Sequence, residues 1–198
     1  MNVFDYVNTL IGTENRFRFS NGNIYPITAL PFGTAQFTLQ TDGGAAVFES
    51  KLDEFFNLKP KYEVGGYGQE IHEMSEMACA DFGQMAISNQ PSFHIPWLYS
   101  AIGKRAKTTV AVKNLINNAF GSGIDGFPGD EDNGTMACWY IFSCIGFYPI
   151  CPGSGEFVCC DPSFEKIEIL GQVLPEFEKN KITNKELADI LKGKTKNS

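Results

Sequence analysis

Three carboxylates in a row, Asp130, Glu131 and Asp132, stand between Gly129 and Asn133-Gly134, directly ahead of the apolar stretch Thr135-Met136-Ala137-Cys138-Trp139-Tyr140. Adjacent like charges repel, so such a run favours solvent or a cation. Its plain structural use is a solvated turn that caps the next helix, with Asp132 or Asn133 at the N-cap and acids beside the positive helix end. Two other segments supply partners for a chemical use. His72 and Glu76 are four residues apart and share one face of a helix, where the Glu76 carboxylate suits a hard cation. Asn89, within Ser88-Asn89-Gln90-Pro91-Ser92-Phe93-His94, adds an amide oxygen at a helix start. Oxygen donors of this kind fit calcium. Carboxylates such as Asp130 and Asp132 fit glycoside hydrolysis, in which one group activates water and another protonates the leaving oxygen. Plain roles exist beside these: Asn89 as an N-cap, His94 as a packing residue, and Trp139, Tyr140 and Phe147 as core.

Several better-known site patterns do not fit this sequence. His72-Glu73-Met74-Ser75-Glu76 begins like a zinc-protease H-E-x-x-H, but Glu76 stands at the second histidine position. The acidic run begins like a calcium-binding EF-hand loop, yet Gly134 replaces a ligand and Ile141 the closing glutamate. Gly65-Gly66-Tyr67-Gly68 matches no phosphate-binding fingerprint, and there is no G-x-S-x-G elbow. The six cysteines, at 79, 138, 144, 151, 159 and 160, include no C-x-x-C pair, and with two histidines they make no zinc site. Cys138 and Cys144 lie in apolar stretches and read as small hydrophobes.

The elements that must hold these residues are read from periodicity. Residues 1–41 are loop-rich and strand-like, broken by Asn21-Gly22-Asn23, Tyr25-Pro26 and Pro31-Phe32-Gly33. Beyond Asp42-Gly43-Gly44, the spacing of Phe48, Leu52, Phe55 and Phe56 gives an amphipathic helix. Further helices are expected over 71–85, 93–102 and 107–120, and another after the acidic run, with Met136, Trp139, Tyr140 and Phe147 in step. Short strands follow at 156–160 and 166–170, then a helix at 184–191. Helices joined by glycine-rich loops make an α/α toroid or bundle, in which helix ends and loops build the site.

Composition sets the limits. A chain of 198 residues with 43% hydrophobic and 13% aromatic content can bury a real core. A formal net charge of −7 argues against nucleic acid and against an anionic membrane surface as partners. No apolar run approaches the ~20 residues of a membrane span. Met1-Asn2-Val3-Phe4-Asp5-Tyr6 shows no signal-peptide pattern, so free thiols and a cytoplasmic location are expected.

Taken together these residues closely resemble glycoside hydrolase family 92, the calcium-dependent exo-acting α-mannosidases. The resemblance runs through Asp5-Tyr6-Val7-Asn8-Thr9-Leu10-Ile11-Gly12-Thr13, Gly22-Asn23-Ile24-Tyr25-Pro26 and Leu30-Pro31-Phe32-Gly33. It continues in Gly65-Gly66-Tyr67-Gly68-Gln69-Glu70-Ile71-His72-Glu73-Met74, Ser88-Asn89-Gln90-Pro91-Ser92 and Asp125-Gly126-Phe127-Pro128-Gly129-Asp130-Glu131-Asp132-Asn133-Gly134. It closes with Trp139-Tyr140, Gly146-Phe147-Tyr148-Pro149 and Cys151-Pro152-Gly153-Ser154. The resemblance implies an inverting hydrolase of α-1,2-linked mannose in N-glycans or mannans. In it Asp132 is the general base with Asp130 its partner, His72 and Glu73 bind the sugar, and Asn89 and Glu76 belong to the calcium shell. An inverting acid and base stand ~6.5–9.5 Å apart to admit water, so neighbours such as Asp130 and Asp132 do not serve as each other's partner in that sense.

The implied fold is mainly α with β segments: a remnant of an N-terminal β-sandwich over 1–41, a partial (α/α)6 catalytic domain over 42–150, and short strands with a tail over 151–198. The family's E-G-x-x-W-x-Y segment, which carries the general acid, has no match, and Glu49 is a poor substitute. Gln90 stands where the family's N-E-P motif has a glutamate. The chain thus reads as an internally deleted member with weak or no turnover and an exposed apolar surface prone to self-association. A non-catalytic calcium- and mannose-binding remnant and a fragment that does not fold alone are the other readings.

Overall fold

The computed structural model describes residues 27–28, 37–38, 44–64, 67–175 and 178–193. Most of the expected strand-like region 1–41, and Gly65-Gly66, lie outside the described residues. Within them, a short antiparallel pair joins β1 (Ile27–Thr28) to β2 (Phe37–Thr38).

The helical part begins with α1 (Gly44–Asn57), as the phenylalanine stripe requires. Then comes α2 (His72–Ala80), shorter than expected. It stops because Asp81 turns left-handed (φ 55°) and Gly83 brings the chain against the carbonyl end of α1. A Cβ on Gly83 would lie 2.5 Å from the carbonyl oxygens of Phe55 and Phe56, while Gln84 donates its backbone N–H to the Phe55 carbonyl at 3.0 Å. That bond satisfies a terminal carbonyl that α1 cannot satisfy itself.

The single helix expected over 93–102 is instead two 3-10 turns, Gln90–Ser92 and Ile95–Trp97, followed by the four-residue α3 (Leu98–Ala101). Pro91 and Pro96 are the reason, since a proline cannot donate the i→i−4 bond and its ring crowds the preceding turn. Next is α4 (Arg105–Ala119), and then α5 (Thr135–Ile145), which emerges from the acidic run. Phe147, expected on that helix, lies in β3 (Phe147–Tyr148), because the chain turns at Gly146 (φ 97°).

β3 pairs antiparallel with β4 (Glu156–Cys159), which pairs with β7 (Lys181–Thr183). The strand expected over 166–170 is one arm of a hairpin, β5 (Glu168–Ile169) with β6 (Gln172–Val173), closed by the left-handed pair Leu170 and Gly171. The closing helix α6 (Asn184–Leu191) occupies the expected residues, with a capping box between Thr183 and Glu186 at its start.

The main core lies between α4, α5 and the segment 82–97: Met85, Ile87, Trp97, Val112, Leu115, Met136 and Trp139 are nearly or fully buried. Trp139 stacks on Phe120 at 5.6 Å between ring centres and donates its indole N–H to the Phe93 carbonyl at 2.9 Å. A second cluster under the strands gathers Phe147, Cys159, Leu174, Ile182 and Ile190. Ser100 and Thr109 bind the sheet to the helices, through Ser100 Oγ to the Cys159 carbonyl (2.6 Å) and Thr109 Oγ1 from the Asp161 N–H (2.9 Å).

Two residues expected inside are not. Tyr140 is exposed, and Cys138 lies on the same open side of α5 with Ile141. The helix is apolar all round, but only the face of Met136, Trp139 and Ser143 is covered. Cys159 and Cys160 are fully buried, and burial pushes both thiols up to about 12, which makes them inert hydrophobes rather than nucleophiles. Among the described residues, no helix is long and apolar enough to cross a membrane.

Candidate active site

Two arms of the fold meet at Asp130. From one side, α2 begins at His72, so His72, Glu73 and Glu76 occupy its first turns, and the expected i, i+4 pairing of His72 with Glu76 is a helical one. His72 Nε2 stands 3.4 Å from Glu73 Oε1 and 3.8 Å from Asp130 Oδ2, with both the histidine and the aspartate open to solvent. From the other side, Gln90 Nε2 donates to the Asp130 carbonyl at 3.2 Å.

A third contact seats the loop. A Cβ on Gly129 would lie 2.6 Å from Ser88 Cβ and 2.8 Å from Ser88 Cα, so only glycine allows the two segments to meet. His72, Glu73, Asp130 and the Ser88–Gln90 turn are therefore brought together by residues far apart in the chain.

The three acids of the run do different things. Glu131 turns inward and accepts from the N–H of Gly134 (2.5 Å) and of Ala137 (3.1 Å). The N-cap position of α5 is Gly134, not Asp132 or Asn133 as expected, and the capping side chain is Glu131. Asp132 (φ 51°), Asn133 (φ 58°) and Gly134 (φ 90°) follow one another in the left-handed region. Such backbone is uncommon outside glycine and clusters where structure serves function. Asp130 and Asp132 are left exposed on either side of Glu131, with Asp132 outside the His72 contacts.

The two expected metal ligands lie close to this meeting point in the chain. Asn89 occupies the N-cap position of the first 3-10 turn in extended backbone, yet its side chain makes no capping bond. Glu76 Oε2 is buried with no hydrogen-bond partner among the described residues, and so is Ser88 Oγ. A buried carboxylate oxygen without a donor is costly unless something positive meets it. Among the described residues no group of three or more His, Cys, Asp or Glu side chains gathers to hold a metal ion. A cation here would add amide, carbonyl and water oxygens to the Glu76 carboxylate. His94 is half-buried, and desolvation lowers its pKa, in keeping with a packing role.

Glu49 is disqualified as an acid catalyst. Its carboxylate meets Lys107 at 2.8 Å and Lys104 at 2.9 Å, and the hydrogen bond from Lys107 chiefly holds its pKa below the ordinary carboxylate value. A general acid at neutral pH needs the opposite shift.

The sequence does not reveal the capping role of Glu131, the seat of Gly129 on Ser88, or the bond to the Asp130 carbonyl from Gln90, which is legible only as a neutral residue in place of a glutamate. The capping acid precedes the N-cap instead of following it, so no S/T-x-x-E signature marks it. A glycine beside an acidic run is a signal of close backbone approach, but does not say to what.

The glycosyl hydrolase family 92 catalytic domain matches residues 14–193. The chain belongs to glycosyl hydrolase family 92. A glycosidase described as secreted and uncharacterised, from Arthroderma benhamiae, is 30% identical over 89 residues, spanning 45% of this chain and 11% of its own. A family 92 inverting mannosidase of Bacteroides thetaiotaomicron is 33% identical with a TM-score of 0.52, covering 73% of this chain and 23% of that one. A family 92 α-mannosidase from the same organism, in complex with mannoimidazole, shares the fold at a TM-score of 0.60 and 22% identity, over 74% of this chain and 21% of that one. The chain thus spans about a fifth of the length of these solved relatives, and about a tenth of the curated one. Family 92 is a family of glycosyl hydrolases, and the described residues of this chain, mainly helical with antiparallel strands, share the fold of its solved members.

Proposed function

We propose that the chain carries the sugar-binding, base-bearing part of an inverting, exo-acting α-mannosidase site for α-1,2-linked mannose, without its general acid. The observation that carries this reading is the convergence of His72 and Gln90 on Asp130, beside an Asp132 held open to solvent.

In this reading the Asp132 carboxylate takes the proton from a water that attacks the anomeric carbon on the face opposite the leaving group. Asp130 shares the charge and orients that water. His72 and Glu73 hold sugar hydroxyls from the start of α2. Glu76 and Asn89 are the residues that would hold calcium, and a Glu76 Oε2 with no hydrogen-bond partner among the described residues is what fits them to it. Calcium, when bound, supplies the charge that grips mannose hydroxyls and favours a distorted ring. Gln90, in place of a glutamate, leaves the site with less negative charge and a weaker hold on the ion.

On the same reading, residues 1–41 are the remnant of an N-terminal β-sandwich, 42–150 part of an (α/α)6 toroid, and 151–198 short strands and a tail. Exposed apolar side chains such as Val110 and Ile141 would then draw copies of the chain together.

A general acid contributes ~10²–10⁴-fold to such a reaction. Fluoride leaves as an anion without help from an acid, so two substrates separate base from acid. The purified chain is expected to hydrolyse α-mannosyl fluoride to β-mannose, to lose that rate in Asp132→Asn, and to turn over α-1,2-mannobiose weakly or not at all. Brisk mannobiose hydrolysis, or a fluoride rate unchanged by D132N, contradicts the reading. With Glu49 tied to two lysines, binding without turnover of natural glycans is the favoured second reading, and fluoride inertness with retained mannose binding would establish it.

A further inference from the structure

Glu131 is the one acid of the run that faces inward, and its carboxylate does two jobs at once. Its Oε2 accepts the N–H of Gly134, the N-cap of α5, and its Oε1 accepts the N–H of Ala137, three residues on. The two N–H groups between these are taken by backbone: Met136 donates to the Glu131 carbonyl and Thr135 to the Asp132 carbonyl, both at 3.2 Å. Thr135 Oγ1 adds a bond to the same Asp132 carbonyl at 2.6 Å. Residues 131 and 132 thereby satisfy every donor of the first turn of α5 that has no partner inside the helix.

The ordinary occupant of that position is the side chain of an Asp just before the helix, bonded to the first turn. Here the acceptor is Glu131, the residue before Asp132. With Glu131 in place, both the hydrogen-bonding capacity and the partial positive charge of the helix end are already met by a carboxylate. The chain must reverse through the left-handed Asp132, Asn133 and Gly134 to bring Glu131 there, and that reversal leaves the Asp132 side chain outside.

We propose that Glu131 is the positioning residue of this site: it occupies the N-terminus of α5 so that Asp132 stays free to act as a base. The proposal rests on the functional reading above for what Asp132 does, but not for what Glu131 does to it. Glutamine at 131 would turn an amide donor toward one of the two N–H groups, leaving that N–H without its acceptor.

The test compares Glu131→Gln with Glu165→Gln, a charge-matched change at an exposed residue, in the intact chain. Amide hydrogen exchange at Gly134 and Ala137, the carboxyl carbon resonance of Asp132, and steady-state hydrolysis of α-mannosyl fluoride are read together. In E131Q the two amides are expected to exchange at least ~10-fold faster and the Asp132 resonance to move. The fluoride kcat is expected to fall ~10-fold or more at unchanged KM, because His72 and Glu73 still hold the sugar. E165Q should match the native chain in all three. Glu131→Asp keeps the charge but cannot span both N–H groups, so intermediate values are expected from it even if E131Q fails to fold. Unchanged amide exchange in a folded E131Q, or a retained kcat, overturns the proposal. If the native chain does not hydrolyse the fluoride, the functional reading fails by itself. The amides and the Asp132 resonance then decide the positioning role, a response confined to E131Q and E131D supporting it and no response overturning it.

Discussion

Gly129 sits against Ser88 so closely that a methyl group at 129 would lie 2.6 Å from the Ser88 Cβ. This contact, not the charge of the acidic run, registers the loop against the turn that carries Asn89 and Gln90. Alanine at 129 must push the two segments apart, as overpacking does elsewhere, at a cost of about 1–3 kcal/mol. Chemical denaturation of Gly129→Ala should show that loss, and the Gln90–Asp130 hydrogen bond should be the first contact broken, seen as a shifted Gln90 side-chain amide resonance. An unaltered resonance and midpoint would mean the loop is held by something else.

Gln90 gives a prediction of opposite signs. A glutamate there cannot donate to the Asp130 carbonyl and adds negative charge near Asp130, so without metal the loop should loosen. On the proposed function the same carboxylate would serve as a ligand once calcium is present. Calorimetry on Gln90→Glu is expected to give calcium affinity raised ~10-fold or more, alongside weaker amide protection around Asp130 in chelator. Equal affinity in the two proteins would separate position 90 from any metal.

The joint between α1 and α4 should be sensitive to both acid and alkali. Lys107 Nζ lies 2.6 Å from Asp53 Oδ2 and 2.8 Å from Glu49 Oε1, and Tyr99 donates to Asp53 at 2.9 Å. The Lys107 hydrogen bond is the main cause lowering both acids below their ordinary 3.8 and 4.5, so their contribution is present above those values and is lost as pH falls through the lower folded ones. Asp53, then Glu49, raises Lys107 above 10.5, so its contribution is complete below that value and is lost as pH rises through the raised one. The melting-temperature difference between the native chain and Lys107→Met should therefore be widest near neutrality and shrink below about pH 4 and above about pH 10.5. A difference flat with pH would show that the lysine acts through packing alone.

Trp139 is the core residue whose loss should be felt most. It is buried, stacked on Phe120 and bonded to the Phe93 carbonyl. Trp139→Ala should cost about 3–5 kcal/mol, and Trp139→Phe about 1–3 kcal/mol for the orphaned carbonyl and the lost ring. Denaturant midpoints distinguish these from a rigid-surface expectation of near zero.

The parts legible in the sequence are those fixed by local chemistry. The helix expected at 184–191 is α6, and the structure starts it with a capping box between Thr183 and Glu186. The apolar face of Val112, Leu115 and Ile116 places α4 within two residues. The turns over 90–97 are missed because apolar periodicity outweighs Pro91 and Pro96 in a reading by spacing. Tyr140 is misplaced because α5 is apolar on every side, and periodicity cannot say which side is covered. In the site, His72 with Glu76 is legible as a helical pair. The approach of His72 to Asp130 depends on tertiary packing, and the inward turn of Glu131 on three consecutive left-handed residues, neither of which has a local signature.

The most direct test is a calorimetric titration of the intact chain with mannoimidazole, in millimolar calcium and then in chelator. The relative solved with this compound makes it the natural probe. The expected result is saturable binding in calcium, weakened at least ~10-fold in chelator and by Asp132→Asn. No binding in either buffer, from a chain that melts cooperatively, would contradict the presence of a family 92 sugar site in this molecule.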